Sequence, residues 1–512
     1  ALATTALTAA AASASLDSLE LSVSAAPVRR TAHNGGYSSF AFDVVNFQRL
    51  DTDAHTVAFF ENATRVALVA RLVGGADTVL RVGGTTADRV YYDLSSDGGV
   101  ALPPEYTVRV RRQHVLSLCK FAAATGLRLA WALNGGPGPR HAQRDYAWAP
   151  YNSIELMRFF QATACPVDAL ELSNEPNLYF IVFGPDAYVS TARLAEDVYT
   201  LRRAIDATYA GAAVRKPRLA APDVAYQYPF IYEVVPRYCE DVLRHAAAIA
   251  AHRNYTSLVD VVTWHYYPLQ SDHCPAWWID PDFATPTRMI EPRTLDLITP
   301  ALRAVADAAA RDMPPRTEVW VGEGASASCG GQLNVSDAFA GSLWYLDTLA
   351  LVARSRGASR GHARYVRQEL MIAPPAGAPA PPPSDFASGV YALLSGELVA
   401  RPDFFVHTLV WRPLFGDDVY DVSVTGAPPW LRAYAHGTRG GNATAVTLLL
   451  INVDATRAAH VTLTNAASHA EYHVSARALT SPTLLVNDVP LQHAHNATLP
   501  PPRAGGGGAA AP

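Results

Sequence analysis

Ala169-Leu170-Glu171-Leu172-Ser173-Asn174-Glu175-Pro176-Asn177 reads as an apolar strand that ends in a polar corner. Pro176 has no N–H to give to a ladder, so the strand stops before it. A helical stretch, residues 187–209, follows. The same unit recurs on both sides of this segment. Strands are expected at 39–42, 79–82, 127–133, 169–173, 218–221, 261–265, 318–322 and 363–366. Helices are expected at 115–124, 187–209, 295–310 and 337–353. Strands alternating with helices in this way predict an α/β chain built on a (β/α)8 TIM barrel over residues 37–372. A doubly wound sheet would be the rival, but no G-x-G-x-x-G opens a helix.

The flanks have a different texture. Residues 1–36 form an N-terminal segment whose first 16 residues are rich in Ala, Ser and Thr and are expected to be partly disordered. Residues 19–23 alternate like a strand that could join a later sheet. Residues 373–399 are expected to hold a Pro/Ala-rich linker and the last barrel helix. From 400 to 499 short β runs separated by turn residues (404–411, 445–452, 460–464, 472–476), with no long helix, predict a C-terminal antiparallel β-sandwich domain. The tail, 500–512, is low in complexity and expected to be disordered.

Hydrophobic residues make up 49 % of the 512 and charged residues 17 %, enough for a large core. The net charge of −5 argues against a nucleic-acid partner, which would need a basic face. No apolar run reaches the roughly 18–20 residues of a membrane span. A start at Ala1 is what a processed or trimmed chain gives. Sequons at Asn62, Asn254, Asn334, Asn442 and Asn496 favour N-glycosylation and a secreted, extracellular or lysosome/vacuole-like location. Cys119, Cys165, Cys239, Cys274 and Cys329 show no C-x-x-C spacing, so a metal ribbon is not expected, and their odd number leaves a thiol unpaired within the chain. No cofactor and no metal are implied.

Two glutamates carry the chemistry. Glu175 stands at the C-terminal end of a predicted barrel strand, the catalytic face of such barrels. Glu323, in Val319-Trp320-Val321-Gly322-Glu323-Gly324, does the same on a later strand. Glycoside hydrolysis needs one carboxylic acid to protonate the leaving oxygen, and a retaining enzyme needs a second carboxylate about 5–5.5 Å away as nucleophile. Between them, Thr263-Trp264-His265-Tyr266-Tyr267-Pro268 brings aromatic rings and a histidine to the same face. Each segment alone could be structural: a Glu-Pro turn, a surface glutamate, a buried aromatic cluster.

Together these segments resemble glycoside hydrolase family 79, the heparanase and β-glucuronidase group. The resemblance covers residues 37–424. It is carried by Leu80-Arg81-Val82-Gly83-Gly84-Thr85, 171–177, Pro222-Asp223-Val224, 263–267, 318–323 with Ser336-Asp337-Ala338-Phe339 and Trp344, and Arg367-Gln368. It implies the barrel-plus-sandwich fold and a retaining hydrolase of β-glucuronide linkages in glycans or glycoconjugates. By position, Glu175 matches the acid/base and Glu323 the nucleophile. Asp43, Thr85, Asn174, His265, Tyr267 and Gln368 match sugar-binding residues, and Gly330 and Gly331 match a pair whose amides meet the uronate. The partner implied is a uronic-acid-containing carbohydrate.

The departures bear on specificity. From Asp88 to Glu175 there is no room for the long excised spacer of heparanase-type members. Residues 226–230, Tyr-Gln-Tyr-Pro-Phe, lack the basic cluster that suits a sulfated polymer. Tyr226, Tyr228 and Phe230 are instead expected to offer a stacking surface. Protonating all 16 histidines would take the chain from −5 to +11 and favour anions in mild acid. The competing readings are a heparanase-like endo-hydrolase of sulfated glycosaminoglycan, a catalytically inactive glycan-binding homologue, and another glycosidase such as an arabinofuranosidase or xylanase.

Overall fold

A computed structural model describes the chain except residues 1, 8–15, 32–35, 96–100, 142–144, 227–234, 236, 275–282, 356–359, 375–388, 442–443, 465–468, 492–493, 495–496 and 505–512. Its centre is a closed parallel barrel: β1 (Ser38–Asp43), β2 (Val79–Gly83), β3 (Arg128–Leu133), β4 (Val167–Leu172), β5 (Arg218–Ala225), β6 (Val261–Tyr266), β7 (Glu318–Gly324) and β8 (Arg364–Arg367). Each expected strand is present within a few residues. Helices between them bury one face, as in Arg112–Thr125, Thr191–Thr208 and Ile298–Asp312, while Phe339–Arg354 is buried almost throughout.

The barrel interior is layered. At the N-terminal end of the strands Trp320 fills the lumen inside small residues, Ala130, Ala169 and Ala220, with Val79 and Val261. One residue pair further up, the inward positions turn polar: Arg81, Glu171 and Thr263, all fully buried. Strict alternation would continue inward through Pro222 on β5 and Gly322 on β7. Both strands break register there. Pairing with β6 skips between Pro222 and Val224, and His265 pairs with Glu323 straight after Trp264 pairs with Val321. Such bulges re-aim a side chain. Here they turn Asp223 and Glu323 into the lumen. Gly322 makes the second possible, because a Cβ on it would lie 1.9 Å from Thr263 Oγ1.

Two sheets complete the fold. The larger contains Phe415–Tyr420, Leu431–Thr438, Val446–Asn452 and His469–Ser475; the smaller joins Leu16–Val23 to Val422–Val424 and Ala458–Leu463. Leu21 and Leu463 of the small sheet pack on Ala435, Leu448 and Leu450 of the large one. The opposite face of the large sheet, through Tyr434, Leu449 and Ile451, joins the barrel's core. Burial on both faces explains the unbroken apolar run in residues 448–451.

Three expectations need correction. Residues 404–411 are not a strand: Pro402–Phe405, Val406–Trp411 and Arg412–Leu414 form a continuous helical segment after β8. It is buried from Pro402 to Trp411, so it shows no amphipathic period, and a short apolar run does not separate a buried helix from a strand. The N-terminal stretch holds a strand, Leu2–Leu7, parallel to and between Val446–Asn452 and His469–Ser475. In the tail, Arg503–Ala504 pairs with His469–Ser475. Residues 505–512 of that tail, and most of the Pro/Ala-rich stretch, lie outside the described residues.

Cys119–Cys165 and Cys274–Cys329 are disulfide-bonded, and Cys239 is a buried free thiol. Among the described residues no helix is long and apolar enough to cross a membrane. The sequon residues Asn62, Asn254 and Asn334 are exposed; Asn442 and Asn496 lie outside the described residues.

Candidate active site

The C-terminal ends of β4, β5, β6 and β7 bring the expected residues together. After β4 the chain turns through Ser173 at φ 71° and Glu175 at φ 50°, and the Glu175 N–H donates to Asp223 O at 2.8 Å. This corner aims the Glu175 carboxyl across the lumen. His265 Nδ1 meets Glu175 Oε1 at 3.0 Å, and His265 Nε2 meets Asp223 Oδ1 at 2.8 Å. Tyr267 OH donates to Glu323 Oε1 at 2.5 Å. One oxygen each of Glu175 and Glu323 and a ring nitrogen of His265 all lie within 4.8 Å of one another.

Beneath them sits a group the sequence reading did not single out. Arg81, on β2, is fully buried. Its Nε donates to Glu171 Oε2 at 2.7 Å, Nη1 to Glu323 Oε2 at 2.5 Å, and Nη2 to Asp223 Oδ2 at 2.7 Å and Asn174 Oδ1 at 3.0 Å. One guanidinium therefore fixes the second oxygen of Glu323, leaving the Tyr267-bound oxygen toward the cleft. Asp88 completes the support: it accepts the N–H groups of Gly135 and Asn174, both at 2.9 Å. The signal for Arg81 and Asp223 was available. Both are charged residues inside apolar strands, within Leu80–Thr85 and Pro222-Asp223-Val224.

The electrostatics follow from burial. Desolvation pushes Glu171 up to about 7, helped by Asp223 and opposed by Arg81. Burial acts the same way on Asp223, but Arg81 and His265 overcome it and hold that carboxyl below its usual range. Burial opposes the charged form of His265, yet Asp223 and Glu323 raise it to about 10. The site's histidine is thus a cation at neutral pH. Elsewhere burial lowers His114 to about 4, His362 to about 3, and His407 and His436 to about 4. The expected reservoir of 16 titrating histidines is reduced accordingly.

The remaining candidates line the same face. Asp43 ends β1, half-buried; burial first, then Glu323, raises it to about 7. Thr85 begins the 3₁₀ turn Thr85–Arg89 beyond β2. Gln368 follows β8, and its N–H donates to Gly324 O at 2.9 Å. Gly330 and Gly331 turn at φ 86° and 89°, and Gly330 O accepts the Tyr391 N–H at 3.2 Å. Tyr391 was not expected; a long Pro/Ala-rich stretch separates it from β8. Tyr226 is not a stacking surface. It is buried edge-on against Trp264 and its OH donates to Glu240 at 3.2 Å. Tyr228 and Phe230 lie outside the described residues.

A cavity of about 550 Å³ opens at the opposite end of the barrel. Two of its cations are paired with carboxylates, Lys216 with Asp206 at 2.9 Å and Arg218 with Glu318 at 2.9 Å. The carboxylate pair at glycosidase spacing is at the other face.

A family model described as Glycosyl hydrolase family 79, N-terminal domain, matches residues 65–350. Heparanase-like protein 1 of Arabidopsis thaliana is 28% identical over 390 residues, which cover 73% of this chain and 61% of that protein. Heparanase of Bos taurus is 25% identical over 328 residues, 64% of this chain and 50% of that one. The chain thus spans half to about two thirds of the length of these relatives. A 4-O-α-L-rhamnosyl-β-D-glucuronidase from Fusarium oxysporum shares the fold with a TM-score of 0.55 at 16% identity, covering 89% of this chain and 84% of that one.

Proposed function

The chain belongs to glycosyl hydrolase family 79, and from that premise we propose that it is a retaining hydrolase of β-glucuronide linkages in glycans or glycoconjugates. The observation that carries the reading is the approach of Glu175 and Glu323, with oxygens within 4.8 Å. A retaining glycosidase needs its carboxyls about 5–5.5 Å apart, whereas an inverting one leaves room for a water between them. Glu323 attacks the anomeric carbon while Glu175 protonates the departing oxygen; Glu175 then takes a proton from the water that releases the sugar. Arg81 and Tyr267 each hold one oxygen of the nucleophile, so it meets the sugar without reorganising. His265 holds the acid.

Asp43, Thr85, Asn174 and Gln368 are assigned to sugar hydroxyls, and Gly330 and Gly331 to the uronate. Residues 226–230 carry no base, which favours small or unsulfated glucuronides over a sulfated polymer. The disulfides suit an oxidising compartment, secreted or lysosome-like. The test runs aryl β-glucuronide, aryl β-xyloside and heparan sulfate in parallel. Hydrolysis of the aryl β-glucuronide to the free phenol and glucuronic acid, released first as the β-anomer, is the expected result. Efficient mid-chain cleavage of heparan sulfate with little release from the aryl glucuronide would favour the endo-hydrolase instead.

A further inference from the structure

Glu369, the residue after Gln368, is a second carboxyl in the corner of Asp43. It is 2 % exposed. Its Oε1 accepts the Asp43 backbone N–H at 3.0 Å and Asn46 Nδ2 at 2.5 Å. Its Oε2 lies against Gly389, where a Cβ would come within 3.3 Å of it. Asp43 Oδ1 accepts the Val45 N–H at 2.9 Å. Glu323 faces Asp43 from β7. Three carboxyls thus meet at one wall of the cleft.

The cations near Asp43 and Glu369 are engaged with other groups, Arg81 reaching the wall only at Glu323. Arg81 is bound to Glu171, Asp223 and Glu323. Arg49 donates to Ala373 O at 3.1 Å, and Arg401 to Gly389 O at 2.7 Å. The Tyr391 phenol also faces Glu369, Asp43 and Glu323, and its backbone is tied to Gly330. Tyr391 therefore links the carboxyl corner to the glycine turn assigned to the uronate. Beside it, Gln368 Oε1 is buried with no hydrogen-bond donor among the described residues, an acceptor that a sugar hydroxyl would satisfy.

We propose that Glu369 determines substrate charge selection in this subsite: it holds a proton beside Asp43, and a uronide binds only while that proton is kept. The proposal rests on the glucuronide reading above. Two like charges in one buried corner do not both ionise readily. Burial and then Asp43 lift Glu369 to about 8, while burial and then Glu323 lift Asp43 to about 7. While Glu369 keeps its proton, the pair carries at most one negative charge and offers an O–H to the ligand. With it lost, two carboxylates stand beside Glu323 and repel the uronate. A neutral sugar ring does not feel that difference in charge.

The experiment measures binding of phenyl 1-thio-β-D-glucuronide and phenyl 1-thio-β-D-glucoside by calorimetry from pH 5 to 9, in buffers of different ionisation heat. In the wild-type chain, affinity for the glucuronide should fall about tenfold per pH unit once the pair titrates, with one proton taken up on binding. Affinity for the glucoside should stay flat. In Glu369→Gln the glucuronide curve should flatten and the proton uptake vanish. Retained slope and uptake in Glu369→Gln would overturn the proposal while leaving the glucuronide reading intact. Equal pH slopes for the two ligands in the wild type would do the same and do not depend on the variant folding. No glucuronide binding at any pH would overturn both.

Discussion

Arg81→Met should unfold the barrel's polar layer and disarm the nucleophile together. Arg81 makes four hydrogen bonds, three of them to carboxylates, at no point exposed to water. Methionine keeps the volume and removes the charge. Glu171, Asp223 and Glu323 then share His265 as their nearest cation. Removing one partner of a buried ion pair costs about 3–5 kcal/mol, because the charge left behind is uncompensated. For a barrel of about 336 residues, at about 2.1 cal/mol/K per residue, each kcal/mol is about 1.4 °C in Tm, so a fall of about 4–7 °C is expected. The loss should be larger at pH 8 than at pH 5. Glu171 titrates near 7, so at pH 5 it is already neutral and does not need Arg81. Adding Glu171→Gln to Arg81→Met should therefore restore about 0.5–3 kcal/mol, read from a double-mutant cycle by scanning calorimetry at pH 8. A single variant that melts within about 2 °C of wild type at pH 8, or a strictly additive double variant, would refute the view that Arg81 neutralises this layer.

Glu323→Gln should lower kcat on an aryl β-glucuronide by about 10³-fold or more with the fold retained, since Gln is nearly isosteric but forms no glycosyl ester; near-normal turnover would remove it as nucleophile. Glu175→Gln should slow substrates with poor leaving groups far more than an activated aryl glucuronide; equal losses on both would point to another acid. Stability should fall between pH 6.5 and 8.5. Asp43, Asp88 and Glu171 at about 7 and Glu369 at about 8 keep protons that the unfolded chain has lost, so their folded-state advantage disappears as pH rises through those values. His265, at about 10 when folded, adds stability that is full below about 6.5 and declines above it. Below 6.5 the four histidines held near 3–4 act in the opposite sense and flatten the curve. Tm measured at both pH values checks this; a higher Tm at pH 8.5 would contradict it.

The barrel was legible because its strands obey a simple rule: apolar run, polar corner, helix. Residues 169–177 show it in one line. What the period of two could not foretell is which side chains enter the lumen where register breaks. On alternation alone, Trp320, Gly322 and Gly324 face inward and Glu323 faces out; the bulge opposite Trp264–His265 reverses that. Asp223 is turned inward by the same device beside Pro222. Local pattern also failed for residues 402–414, where burial on every side erased the helical stripe. Glu369 and Tyr391 were invisible for another reason: their roles depend on Asp43 and Gly330, residues distant in sequence that only closure of the barrel brings near.

That closure changes where acid sensitivity resides. A count of histidines placed it across the whole surface. In the folded chain, four buried histidines stay neutral through mild acid and His265 stays charged, so neither group supplies a transition near pH 7 within the site. The carboxyls do. Arg81 is matched to Glu171, Asp223 and Glu323, and His265 to Asp223 and Glu175. Two cations therefore serve four carboxyls, before Asp43 and Glu369 are counted. An anionic sugar would add one more negative charge to a lumen already short of positive ones. Taking up a proton at the Asp43–Glu369 pair removes that conflict without moving an atom of the nucleophile's support. On this argument the acid optimum of a glucuronidase built on this chain is set by buried carboxyls, and Glu369→Gln should shift the alkaline limb of kcat/KM on an aryl glucuronide upward in pH while His114→Gln, remote from the cleft, leaves it in place.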